Sequence, residues 1–139
     1  MKPPLEFEKN THTYRRPDGL VVPSVTSILK SVGAYKNANF FTEDGQNRGT
    51  AVHTIAEKVF KKEIVEYQGD EELAGYAAAL LEFFQEDLFE TVFVERQVYC
   101  RELGYCGTVD LIARKKSNNQ VCIIDVKSGA PDGATALQL

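Results

Sequence analysis

The sequence predicts an α/β fold, and three observations lead to it. Apolar residues recur at helical spacing through the middle of the chain: Val52, Ile55, Ala56, Val59 and Phe60, then Leu73, Tyr76, Ala77, Leu80, Leu81 and Phe84. From residue 91 onward the pattern changes to β-branched, extended runs separated by short turns. With 139 residues, 43% of them hydrophobic and 26% charged, the chain is expected to form one globular domain with a real core.

Taken in order, residues 5–22 read as a small β-hairpin, because Pro17-Asp18-Gly19 is turn chemistry between two extended runs. His12 falls in the first run and is expected to be a strand residue. A short helix follows, with Ser24 as its N-cap and Gly33 as its stop. Residues 46–62 form an amphipathic helix on which Gly49, His53 and Glu57, four apart, share a stripe bordering the apolar face. Gly49 is expected to let that helix approach the sheet closely. After a connector at 64–68, residues 70–88 read as a second helix whose acidic start, Asp70-Glu71-Glu72, suits the positive end of the helix dipole. It is read as packing scaffold with a solvated acidic face.

Residues 91–101 alternate as a strand, with Val92, Val94, Val98 and Cys100 assigned to the core face and Phe93, Glu95, Gln97 and Tyr99 to the other. Glu102-Leu103-Gly104 turns the chain into a hairpin running from Tyr105 to Gly129 around a polar turn at 115–120. Both runs are apolar on both faces, as central strands are. Into them the sequence places Asp110, Asp125 and Lys127, the last two expected on one face of one strand. Buried charges persist only when paired or holding a metal, so two carboxylates and an ammonium suggest a hard-cation site with a lysine beside it. A surface ion pair on an edge strand is the plainer alternative for Asp-X-Lys alone.

Charge does not decide the partner. The net charge is -4, with 3 basic and 10 acidic residues between 49 and 90 and near balance elsewhere. No apolar run is long enough to span a membrane, and the N-terminus has no signal-peptide core, so a cytoplasmic protein is expected, with no membrane partner. Cys100, Cys106 and Cys122 form no Cys-X-X-Cys pair, and buried reduced thiols are expected.

Gly107-Thr108-X-Asp110, followed by Ile123-Ile124-Asp125-X-Lys127-Ser128-Gly129, resembles the active-site hairpin of the PD-(D/E)XK nuclease superfamily, in its RecB-like and phage-exonuclease branch. Val109 stands where the family name has Pro, and the second acid is Asp. His12-X-Tyr14 followed by Pro23-Ser24-Val25-Thr26-X-Ile28-Leu29 is similar to the N-terminal entry of phage-type members. The resemblance implies a restriction-endonuclease-like mixed sheet flanked by helices, with a hairpin and short helix at 1–33 appended to a nuclease core at 46–139. It implies metal-dependent hydrolysis of DNA, as an exonuclease in recombination, repair or phage DNA processing, in a bacterial or phage-infected cell.

By the same resemblance Asp110 and Asp125, with the Val126 carbonyl, hold Mg²⁺ or Mn²⁺, and His53 is a further metal ligand. Lys127 positions water or stabilises developing charge, and Glu95 joins the site from the neighbouring strand. Glu57 lends outer support. Gln138 matches the glutamine of a Gln-X-X-X-Tyr helix, and the chain ends before the tyrosine. The C-terminal part of the family core is therefore expected to be missing, or supplied by a second copy or a partner protein. That expectation leaves open a catalytically inactive DNA-binding or assembly module that keeps the fold. An α/β interaction domain with surface acids is the remaining alternative.

Overall fold

Side-chain periodicity accounts for most of the elements in the computed structural model, which describes residues 5–34, 43–85 and 88–129. These residues form a mixed α/β structure with two three-stranded antiparallel sheets and three α-helices. They divide into two units, one of residues 5–34 and 97–108, the other of residues 43–85, 88–96 and 109–129.

In the first unit β1 (Glu6–Glu8), β2 (Thr13–Arg15) and β3 (Val21–Val22) pair antiparallel in that order. The expected hairpin is the β2–β3 pair. Its turn is closed by the Gly19 amide on the Arg16 carbonyl at 2.9 Å, with Gly19 at φ +85°, a conformation glycine adopts without steric cost. An additional strand, β1, pairs Phe7 with Tyr14, and His12, expected in a strand, lies in the turn before β2 at φ +50°. Helix α1 (Val25–Ser31) starts where Ser24 Oγ accepts the Ser27 amide at 3.1 Å. Leu5, Tyr14, Val22 and Cys106 make the core of this unit, with Phe7 and Tyr99 packed against them.

In the second unit α2 (Glu43–Phe60) buries Val52, Ile55, Ala56, Val59 and Phe60, its larger side chains contributing about 1.5–3 kcal/mol each on full burial. The second helix is shorter than the expected 70–88. Asp70 Oδ1 accepts the Glu72 amide at 3.1 Å, drawing Glu71–Leu73 into a 3-10 turn, and α3 then runs over Ala74–Gln85. Strands β4 (Phe89–Cys100), β5 (Tyr105–Lys115) and β6 (Val121–Ile124) form the larger sheet in that order, residues 97–100 of β4 and 105–108 of β5 belonging to the first unit. Leu111 opposite Ile124 and Ala113 opposite Cys122 face the helices, and Leu111 and Ala113 are fully buried with the α2 residues.

Further expectations about the strands do not hold. The described strands pair antiparallel, with one isolated parallel bridge between Ser24 and Cys106, where a mixed sheet was expected. Among the described strands, the run after residue 120 lies at the edge of its sheet, with Val121 and Ile123 exposed. Within β4, Val92 and Val98 are exposed while Val94 packs into the core with Phe89. Strict alternation is broken there, and Glu95 has φ +49°. A non-glycine residue in this left-handed region costs about 1–2 kcal/mol and marks a local distortion of the strand.

The three cysteines are free, and Cys106 alone among them is buried. Among the described residues, no helix is long and apolar enough to cross a membrane.

Candidate metal centre

Asp110 is the residue around which the second unit's polar groups gather. It lies on β5 immediately before Leu111, and both side chains are buried, so the strand turns a carboxylate and an apolar group inward in succession. One register step beyond the Leu111–Ile124 pair, β6 has ended. Asp110 Oδ2 instead accepts the Val126 amide at 2.7 Å, a charge-assisted bond that satisfies a buried backbone donor. Its other oxygen, Oδ1, lies 3.2 Å from His53 Nδ1.

His53 reaches this point because its stripe on α2 borders the apolar face that packs in the core; its side chain remains 36% exposed. Glu95 arrives from β4, where the positive φ coincides with a core-packed Val94 and a carboxylate turned to the same cluster. Donor atoms of His53, Glu95 and Asp110 all lie within 4.8 Å of one another. Asp125 and Lys127 follow β6 rather than belonging to it, which corrects their expected place in the strand. Once Asp110 takes the Val126 amide, the chain no longer continues the ladder. Lys127 Nζ is 2.8 Å from Asp125 Oδ2, which is buried and lacks a well-angled hydrogen bond among the described residues. The pair is thus held by charge, while one acceptor remains geometrically unsatisfied.

The electrostatics agree with the geometry. The Asp110 hydrogen bond raises the His53 pKa above its ordinary 6.5 against the opposing effect of burial, and the charges of Asp110, Glu95 and Asp125 add to the rise. Burial pushes the Glu95 carboxyl upward, helped by the charges of Asp110 and Glu57, against the pull of His53 and Lys61. The cluster therefore attracts positive charge, and a proton on His53 is one way of supplying it. A divalent cation is another. The donor set suits that role: each carboxylate oxygen has two lone pairs, so Asp110 can accept the Val126 amide and still coordinate.

The remaining candidates are placed as follows. Glu57 is engaged by Lys61, just past the end of α2, and acts on the cluster through its charge on Glu95. The expected need for glycine at position 49 is not seen, since a Cβ there would meet Ser128 Oγ at an ordinary 3.5 Å. Gln138 lies outside the described residues. Val126 contributes its amide to Asp110, and its side chain is buried in the core. A contact that sequence patterns passed over also matters here: the Tyr76 hydroxyl donates to the Ser128 carbonyl at 3.1 Å. Tyr76 counted only as part of an apolar stripe, and nothing in local spacing links it to a residue 52 positions away.

No protein-family model, curated protein or solved structure matches the chain.

Proposed function

We propose that this chain is a divalent-metal-dependent deoxyribonuclease with a restriction-endonuclease-like core, acting as an exonuclease in recombination, repair or phage DNA processing. The observation that carries the proposal is the meeting of His53, Glu95 and Asp110 donor atoms within 4.8 Å, with the Asp125–Lys127 pair on the segment that Asp110 anchors. His53, Glu95 and Asp110 would hold the ion, with Asp125 adding negative charge. Mg²⁺ or Mn²⁺ there would lower the pKa of a bound water and neutralise charge on the scissile phosphate. The nitrogen ligand tilts the preference toward Mn²⁺.

The protein's own groups divide the remaining work. Asp110, fixed by the Val126 amide, keeps its orientation whether or not a cation is present. Lys127, partly exposed, is a compact positive charge suited to a phosphate oxygen or to orienting the attacking water. Asp125 restrains that ammonium. The resemblance of the Asp110 and Asp125-X-Lys127 segments to the PD-(D/E)XK hairpin supplies the substrate class, DNA.

A second proposal, a non-catalytic DNA-binding or assembly module, is favoured by one observation. Both Asp110 oxygens already have protein partners, so the cluster can serve as a polar lock between α2 and the β5–β6 hairpin. One assay separates the two. Linear and circular, single- and double-stranded DNA are incubated with Mg²⁺ or Mn²⁺, with EDTA as control. The nuclease proposal requires cleavage that depends on the metal and is lost in Lys127→Ala. DNA retention without cleavage under every condition would favour the module.

A further inference from the structure

Residues 125–128 lie outside the β6 ladder, yet three contacts hold them. Asp110 of β5 takes the Val126 amide at 2.7 Å, and the Val126 side chain is buried in the helix–sheet core. From α3, the Tyr76 hydroxyl donates to the Ser128 carbonyl at 3.1 Å. Lys127 sits between these two backbone anchors, with its ammonium 2.8 Å from Asp125 Oδ2. A tyrosine in the apolar stripe of a helix needs only its ring to pack; its hydroxyl brings the added demand for a partner. Here that demand is met by the loop beside the candidate metal centre.

We propose that Tyr76 is a positioning residue: by fixing the Ser128 carbonyl it makes the segment that follows β6 present Lys127 and Asp125 to the cluster in one geometry. Its functional consequence rests on the nuclease proposal; the tether itself does not. Lysine is a point charge on a flexible stem, so the backbone on either side restricts where Nζ can go. A displacement of about 1 Å can cost on the order of 100-fold in a reaction that depends on placement.

The test compares Tyr76→Phe with Tyr67→Phe. Tyr67 also donates its hydroxyl to a backbone carbonyl at 3.1 Å, that of Asp70, so the control removes the same kind of bond from another place in the same unit. The first readout is the amide spectrum. The Val126 proton, donated to a carboxylate at short range, should lie far downfield. Tyr76→Phe should move the Val126 and Lys127 amide signals and speed their hydrogen exchange by about 5- to 10-fold, as loss of one net hydrogen bond allows. The Leu111 and Ala113 signals should stay in place, and Tyr67→Phe should leave Val126 and Lys127 unchanged.

The second readout is cleavage at saturating Mn²⁺. Tyr76→Phe should lower kcat about 10- to 100-fold, with KM and the Mn²⁺ Kd within about twofold of wild type. Unchanged Val126 and Lys127 signals in Tyr76→Phe, or equal changes in both variants, would overturn the tether. Signals that move while kcat stays at the wild-type value would overturn the positioning role and leave the nuclease proposal standing. A wild-type chain that binds Mn²⁺ but cleaves no DNA would remove the nuclease proposal, and the amide signals would still decide whether Tyr76 sets the segment's geometry.

Discussion

The two units arrange their polar groups in opposite ways. In the N-terminal unit, the fully buried Tyr14 places its hydroxyl 2.7 Å from Thr108 Oγ1, a neutral group meeting a neutral group. In the other unit, His53, Glu95 and Asp110 converge beside Asp125 and Lys127, and a buried Asp125 oxygen lacks a well-angled hydrogen bond among the described residues. The first arrangement is what a core polar group looks like when it serves packing alone. In the second, Asp110 is buried, His53 is partly exposed and Glu95 and Lys127 are exposed, so the charge gathers at the margin of the core. On the proposed reading, charge gathered there serves a cation.

Asp110→Asn should break the contrast most sharply. Asparagine can still accept the Val126 amide, so the melting temperature should change by no more than a few degrees, whereas Mn²⁺ affinity should fall on the order of 100-fold. Calorimetric titration and a thermal melt measure the two effects. Undiminished affinity with a lower melting temperature would make Asp110 structural, like Tyr14.

Tyr14→Phe supplies the opposite pattern. It leaves Thr108 without its partner in the N-terminal unit and should cost about 1 kcal/mol, seen as a lower urea midpoint. Mn²⁺ affinity should not change. A loss of affinity would mean that the two polar arrangements are not independent.

The third prediction is a pH dependence. Because Asp110 and its acidic neighbours raise the folded-state pKa of His53, protonation stabilises the metal-free fold. That contribution is fully present below the unfolded value near 6.5 and is lost as pH rises through the raised folded value. Thermal melts across this window should show the loss in wild type and not in His53→Asn. Mn²⁺ binding should run the other way, strengthening as the imidazole loses its proton.

Glu95→Gln should have the smallest effect on stability. Burial, with Asp110 and Glu57, raises the folded-state pKa of Glu95, so its ionised carboxylate opposes folding. The variant should therefore be the more stable form at neutral pH without metal, the difference fading as pH falls toward the ordinary 4.5. It should also bind Mn²⁺ more weakly. Melts at pH 4 and 7.5 with a metal titration check both signs.

The parts of this molecule legible in its sequence are those set by local chemistry. Pro17-Asp18-Gly19 closes its turn, Ser24 caps α1, and the spacing from Val52 to Phe60 makes the buried face of α2. The spacing of His53 on that helix placed it at the packing margin, where it now meets Asp110. What escaped depends on contacts distant in sequence. Strict alternation along β4 put Val92 and Val98 inside, because periodicity does not register a residue such as Glu95 at positive φ. Asp125 and Lys127 were placed in a strand because the apolar run continues to Val126, yet the ladder stops where Asp110 takes that residue's amide. The bond from Tyr76 to Ser128 leaves no mark in either local pattern.

Mn²⁺ line broadening in the amide spectrum tests the central claim most directly. At substoichiometric Mn²⁺, the signals of His53, Glu95, Asp110 and Val126 should vanish first. The acidic run at Asp70, Glu71 and Glu72 serves as an internal comparison, being exposed negative charge without a gathered donor set. Broadening that begins at 70–72, or spreads evenly over the acidic surface, would contradict a cation site at Asp110.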